Sequence, residues 1–153
     1  MNIFMKAIAP AVAAVVLLAT GAQATERLST SGRSDQVVIR VDKSDQEMTV
    51  MQGSRRLASW PVSTGGYGYD TPVGTYQPTW FSPSHRSRQY GNAPMPWAIF
   101  FFEGYAIHAT FDTWNLGNRA SHGCVRLEIG NAEELYNTVF ATGKEDTYIV
   151  IQE

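Results

Sequence analysis

The chain has 153 residues with 12 basic and 14 acidic side chains, a formal net charge of −2 and a single cysteine. A slightly acidic surface lacks the basic footprint that nucleic-acid binding needs, and one cysteine leaves no internal disulfide. A chain of this length fits one domain with one core.

The chain opens on Lys6, an apolar run from Ala7 to Ala19 and the small-residue group Ala22-Gln23-Ala24. This order of charge, apolar stretch and Ala-x-Ala site predicts a signal peptide over 1–24, with cleavage after Ala24 and export to the periplasm or cell envelope. Pro10 interrupts the run, which falls short of the ~20 apolar residues a span needs, so no stable membrane span is expected after cleavage. Residues 25–35 are polar and small, which predicts a flexible leader. A single domain over 36–153 follows.

From Val37 to Val41 the β-branched run predicts a strand, and Met48 to Met51 a second one after the polar connection Asp42 to Gln46. Gly53-Ser54 is a turn signal, and Leu57 to Val62 a third strand. The Gly-rich stretch Ser63 to Gly74 lacks the lysine and helix start of a phosphate loop, so it reads as a backbone turn or substrate rim. Thr75 and Tyr76 resume strand chemistry. Phe81 to Met95, rich in Ser, Arg, Asn and Pro, reads as a long loop or lid with His85 on a solvated surface. Ile99 to Phe102 and Tyr105 to Thr110 read as short buried strands about a turn at Glu103-Gly104. Asn131 is the expected cap of a helix from Ala132 to about Thr142 with Leu135, Val139 and Phe140 inward. Gly143 stops it, and Thr147 to Ile151 is a last strand. Seven or eight short strands with one helix make a mainly antiparallel β fold.

The chemistry concentrates in Ala120 to Leu127, which reads Ala-Ser-His-Gly-Cys-Val-Arg-Leu. A thiol is nucleophilic as thiolate, and an imidazole or backbone N–H groups promote that form. Gly123 permits a tight bend, after which the N–H groups of Gly123 and Cys124 could hold an oxyanion. His122, two residues away, shares a strand face with Cys124 without its ring having to converge on the sulfur; either imidazole could approach the thiol, and His108 at the end of an apolar strand is the better base. A buried inert cysteine is the bland alternative, and Ser, His and Gly are poor core neighbours for it. A zinc site of His108, His122 and Cys124 is a further one, with a spacing that matches no familiar zinc pattern.

Ile107-His108-Ala109-Thr110, Trp114-Asn115-Leu116-Gly117 and Ser121-His122-Gly123-Cys124-Val125-Arg126-Leu127 together resemble the L,D-transpeptidase catalytic domain, or YkuD domain. Val62-Ser63-Thr64-Gly65 and Thr71-Pro72-Val73-Gly74-Thr75-Tyr76 resemble the same family, so the likeness runs from about Gln36 to Ile151. Ala109 stands where the family often has glycine.

The resemblance implies a β-sandwich of mostly antiparallel strands with one short helix after the catalytic segment, using no metal and no cofactor. It implies an exported acyltransferase that takes peptidoglycan tetrapeptide stems. Cys124 would attack the carbonyl of the third stem residue and His108 would move the proton, oriented by the Ala109 carbonyl. Gly123 and Cys124 would hold the oxyanion, and His122 would shape the site. Ser121 is expected to brace the turn. Arg126 is expected either to grip a stem carboxylate or to pair with Glu128 or Asp112. The acceptor would be a second stem, giving 3-3 cross-links, or a lysine of an envelope lipoprotein. Water as acceptor would make a carboxypeptidase or amide hydrolase instead. A non-catalytic wall-binding protein is a third reading, at odds with an intact His108 and Cys124.

Overall fold

The structure, a computed structural model, describes residues 35–153. The signal-peptide reading and nearly all of the leader lie outside the described residues.

The first β-branched run forms β1 (Val37–Asp42), paired antiparallel with β2 (Glu47–Gln52), which pairs in turn with β3 (Arg55–Pro61). The polar connection is a turn organised by Asp42, whose carboxylate accepts from the N–H groups of Ser44 and Asp45. Those bonds favour the anion and hold the Asp42 carboxyl down at about 2. β4 (Gly74–Tyr76) and the last strand, β9 (Thr147–Gln152), complete a five-stranded sheet in the order β3-β2-β1-β9-β4.

A second sheet, β5-β6-β7-β8, is built from β5 (Trp80–Ser87), β6 (Ala93–Phe102), β7 (Tyr105–Ala109) and β8 (Val125–Leu127). Helix α1 (Ile129–Thr142) follows β8 and packs on β6 and β7. Two pairings are parallel, β1 with β9 and β7 with β8, and the others are antiparallel. Among the described residues no helix is long and apolar enough to cross a membrane.

The core lies between the sheets and α1. Val37, Ile39, Val41 and Ile149 from the first sheet meet Ile99, Ile107, Val125 and Leu127 from the second, closed by Leu135 and Val139 of the helix. Strand alternation explains this set, since every second residue of β1, β8 and β9 is buried.

Four expectations are corrected. The segment from Phe81 to Met95 is not a loop: β5 and β6 pair from Trp80↔Phe100 to Ser87↔Ala93, and the prolines that obscured the pattern sit at Pro83, Pro94 and Pro96. Pro83 lies on the edge strand β5, and Pro94 and Pro96 lie where β6 pairs with β5 but not with β7, so proline is tolerated at each. His85 is accordingly a half-buried strand residue with its ring edge-on to Trp80 and Phe100. The helix starts three residues earlier than expected, because Glu128 rather than Asn131 is its cap, accepting from the N–H groups of Gly130 and Asn131. Phe140 is 65% exposed, while Leu135 and Val139 face inward as expected.

Candidate active site

The parallel pair β7 and β8 sets the geometry. Its register is Ile107↔Val125, His108↔Arg126 and Ala109↔Leu127. Ile107, Ala109, Val125 and Leu127 all belong to the core between the sheets. The period of two therefore sends His108 and Arg126 to the opposite, outward face, together with Ala106 and, one residue before β8, Cys124. There Cys124 packs against a small apolar floor of Met95, Ala98, Phe100 and Ala106. Met95 and Ala98 share that floor although they are three residues apart, because Trp97 between them has φ +56 and breaks the strand alternation.

Cys124 and His108 open onto one groove of about 450 Å³, lined also by Arg126, His122, Tyr90 and Phe111. The His108 ring is 7% exposed. Its Nδ1 lies 2.7 Å from the Ala109 carbonyl oxygen. A carbonyl accepts only, so Nδ1 carries the proton and Nε2 keeps its lone pair for the groove. Burial pushes the imidazole down to about 4, against the pull of the Ala109 carbonyl and with the help of the Arg126 guanidinium and the nearby His85. Burial also pushes the Cys124 thiol up, offset in part by the Ala106 N–H and Arg126. Both displacements favour the neutral forms, a thiol and an imidazole that line the same groove.

Gly123 is required by the backbone. Its φ is +111, and a Cβ there would come within 2.6 Å of Tyr105 Cε1 and 3.0 Å of the Asp70 carbonyl oxygen. Ser121, 1% exposed, braces the turn from inside: its hydroxyl accepts from Gly123 N–H at 3.0 Å and donates to the Cys124 carbonyl at 2.6 Å. The Gly123 N–H, expected to face an oxyanion, is committed to that hydroxyl. Arg126 sits 3.8 Å from Asp112 Oδ2, the structural pairing foreseen as one of two roles, while its guanidinium still borders the groove. The other Asp112 oxygen, Oδ1, is buried without a hydrogen-bond partner.

His122 lies at the rim between two tyrosines, edge-on to Tyr69 at 4.4 Å and stacked on Tyr90 at 4.6 Å between ring centroids. It reaches the groove wall from the turn before β8 and not from the β7 pairing that presents His108. Among the described residues no group of three or more His, Cys, Asp or Glu side chains is placed to hold a metal ion.

The Gly-rich segment is the other half of the frame. Ser63 bridges Arg126 and Gly65 bridges Ser121, so its first residues are laced to the motif while Tyr67 to Asp70 stay exposed. Of the aromatics near the motifs, Trp97 and Tyr105 pack against the core and Trp114 is 79% exposed. Sequence reasoning did not single out Tyr90 or Asp112 for the groove, nor Tyr69 as the edge-on neighbour of His122. Asp112 was named as an ion-pair partner, but nothing in a linear pattern marks a tyrosine on a hairpin tip as the neighbour of a histidine thirty-two positions away.

A family model describing the L,D-transpeptidase catalytic domain, YkuD, matches residues 36–146. The probable L,D-transpeptidase YbiS of Escherichia coli is 28% identical over 111 residues, a match that takes in 58% of this chain and 36% of that protein. The chain therefore spans well under half the length of this curated relative. Among solved structures, an L,D-transpeptidase from Mycobacterium smegmatis superposes with a TM-score of 0.68 at 23% identity, over 77% of this chain and 59% of that one. L,D-transpeptidase 3 from Mycobacterium tuberculosis, solved in complex with a faropenem-derived adduct, gives the same TM-score and identity over 77% and 60%. The two-sheet architecture is common to them, and with a family match across most of its length the chain belongs to the L,D-transpeptidase catalytic-domain family.

Proposed function

We propose that the protein is a cysteine-dependent L,D-transpeptidase acting on peptidoglycan tetrapeptide stems. The observation that supports this most directly is the shared groove of Cys124 and His108, with the imidazole held by the Ala109 carbonyl so that its basic nitrogen is free. A neutral imidazole is ready to take a proton at pH 7, and the thiol has one to give.

In the first half-reaction the Cys124 proton passes to His108 Nε2 as the sulfur attacks the carbonyl of the third stem residue. The tetrahedral oxyanion collapses, the bond to the terminal D-alanine nitrogen breaks, and His108 returns the proton to the leaving amine. A thioester remains on Cys124. In the second, an acceptor amine loses a proton to His108 and displaces the sulfur, forming a new amide and restoring the thiol. The acceptor is a second stem or the lysine of an envelope lipoprotein, and no metal or cofactor takes part. Arg126, paired with Asp112 at the groove wall, would meet a stem carboxylate, and His122 would shape the rim. This activity implies an exported protein with a signal peptide over 1–24, a leader over 25–35 and the catalytic domain over 36–153.

Incubating the mature protein with a disaccharide tetrapeptide, and following products by mass spectrometry, tests this reading. Loss of D-alanine with formation of dimers is expected, and both should vanish in Cys124→Ala. Loss of D-alanine without dimers identifies water as the acceptor, and turnover in the Cys124→Ala protein overturns the mechanism.

A further inference from the structure

We propose that Thr71 is a positioning residue for the acyl-transfer step: its hydroxyl turns the Gly123–Cys124 peptide so that the Cys124 N–H faces the groove as the oxyanion donor. This inference rests on the reading of Cys124 as an acyl-accepting nucleophile.

Thr71 is fully buried and touches the motif from the Gly-rich segment. Its Oγ1 donates to the Gly123 carbonyl oxygen at 2.7 Å and accepts from the Gly65 N–H at 2.9 Å. A hydroxyl has one proton, and the Gly65 N–H occupies one of its lone pairs, so the direction of its own O–H is determined. That O–H is spent on the Gly123 carbonyl.

The consequence follows from peptide geometry. The described chain has no cis peptide bond, so within the peptide plane the Cys124 N–H points away from the direction of the Gly123 carbonyl. A carbonyl turned inward to a wholly buried hydroxyl leaves that N–H turned outward, at the residue whose sulfur opens onto the groove. The neighbouring groups are already committed: Ser121 Oγ holds the Gly123 N–H and the Cys124 carbonyl. Gly123 at φ +111 has no side chain to limit its rotation, so without the Thr71 contact the orientation of this peptide would rest on Ser121 alone. Thr71 is itself tied down, since Asp70 beside it takes a 2.7 Å hydrogen bond from the buried Lys43.

An oxyanion donor matters only when a tetrahedral oxyanion forms. Acylation of Cys124 by a carbapenem builds one, whereas alkylation by iodoacetamide displaces iodide at a saturated carbon and does not. The two rates, read by mass spectrometry on the same folded protein, separate peptide orientation from thiol reactivity. In Thr71→Val acylation is expected to fall roughly a hundredfold, the usual effect of losing one oxyanion donor, with alkylation within about twofold of wild type. Thr71→Ser, which keeps the hydroxyl, should restore acylation. If Thr71→Val does not fold, the same ratio is read in Thr71→Ala, with loss again expected.

An unchanged ratio of acylation to alkylation in the folded variant overturns the assignment, as does a parallel fall in both rates, which would mean that Thr71 merely places the sulfur. Failure of the underlying reading looks different. Wild-type protein would then take up no carbapenem on Cys124, whatever stands at position 71.

Discussion

The imidazole of His108 and the thiol of Cys124 are displaced by burial in directions that favour their neutral forms. This bears on pH dependence in two ways. As the proposed base His108 must be unprotonated, so kcat/KM should stay level as pH falls through 6 and drop only toward about 4, where a free imidazole would already have failed near 6.5. The rate of iodoacetamide alkylation should climb with pH through and beyond the ordinary thiol range, and a plateau near neutrality would reveal a preformed thiolate–imidazolium pair. The same shift enters stability. Between about 4 and 6.5 the unfolded chain binds the His108 proton and the folded one does not, so stability rises with pH across that window. His108→Gln should flatten this dependence in denaturant titrations at several pH values, while lowering kcat by roughly 10²–10⁴.

At the scale of elements, the turn before β8 and the face of α1 carry the sharpest expectations. Gly123→Ala forces a Cβ onto Tyr105 and the Asp70 carbonyl at a φ that L residues avoid. The backbone term alone costs about 1–2 kcal/mol, and Cys124 acylation should collapse with it. A well-folded, fully active Gly123→Ala protein would show that the turn tolerates another shape. On α1, Leu135→Ala opens the core between the sheets and should cost about 2–5 kcal/mol in urea unfolding. Phe140→Ala, on the exposed side against Phe81 and Tyr136, should cost a clearly smaller amount. Equal losses would mean that the outer ring cluster bears as much weight as the core.

Across the whole molecule, the turn after β1 reaches the frame of the candidate site through Lys43. Its side chain is 1% exposed, and its ammonium meets Asp70 and Glu153 at 2.7 Å each, while Arg119 from the segment before the motif binds Glu153 and the Lys43 carbonyl. Burial pulls the Lys43 ammonium down, but the two carboxylates outweigh it and hold the group above its ordinary value. Both carboxylates are mostly exposed, so removing the lysine strands no buried charge. Lys43→Met, which keeps the apolar stem, should therefore cost only about 1 kcal/mol, and Lys43→Ala about 2–3, through the cavity it leaves. A loss above about 4 kcal/mol in Lys43→Met, measured by urea denaturation, would show that the ion pairs themselves hold the frame together.

What the sequence determined by itself was local or compositional. Alternating β-branched residues marked β1, β2 and β9 within a residue or so, a glycine marked the end of α1, and Ser121 to Arg126 marked the segment that holds the proposed nucleophile, because each pattern depends only on near neighbours. It failed where local chemistry was ambiguous: the proline-rich β5–β6 hairpin read as a loop, and the cap of α1 fell on Glu128 rather than Asn131. Tertiary structure alone decided the rest. The parallel register of β7 with β8 turns His108 and Cys124 to one face across sixteen positions of chain, the hairpin carries Tyr90 to His122, and Thr71 meets the Gly123 carbonyl from fifty-two residues away. Such contacts come from strand pairing and from closing distant loops, and no periodicity of a linear chain encodes which strand lies beside which.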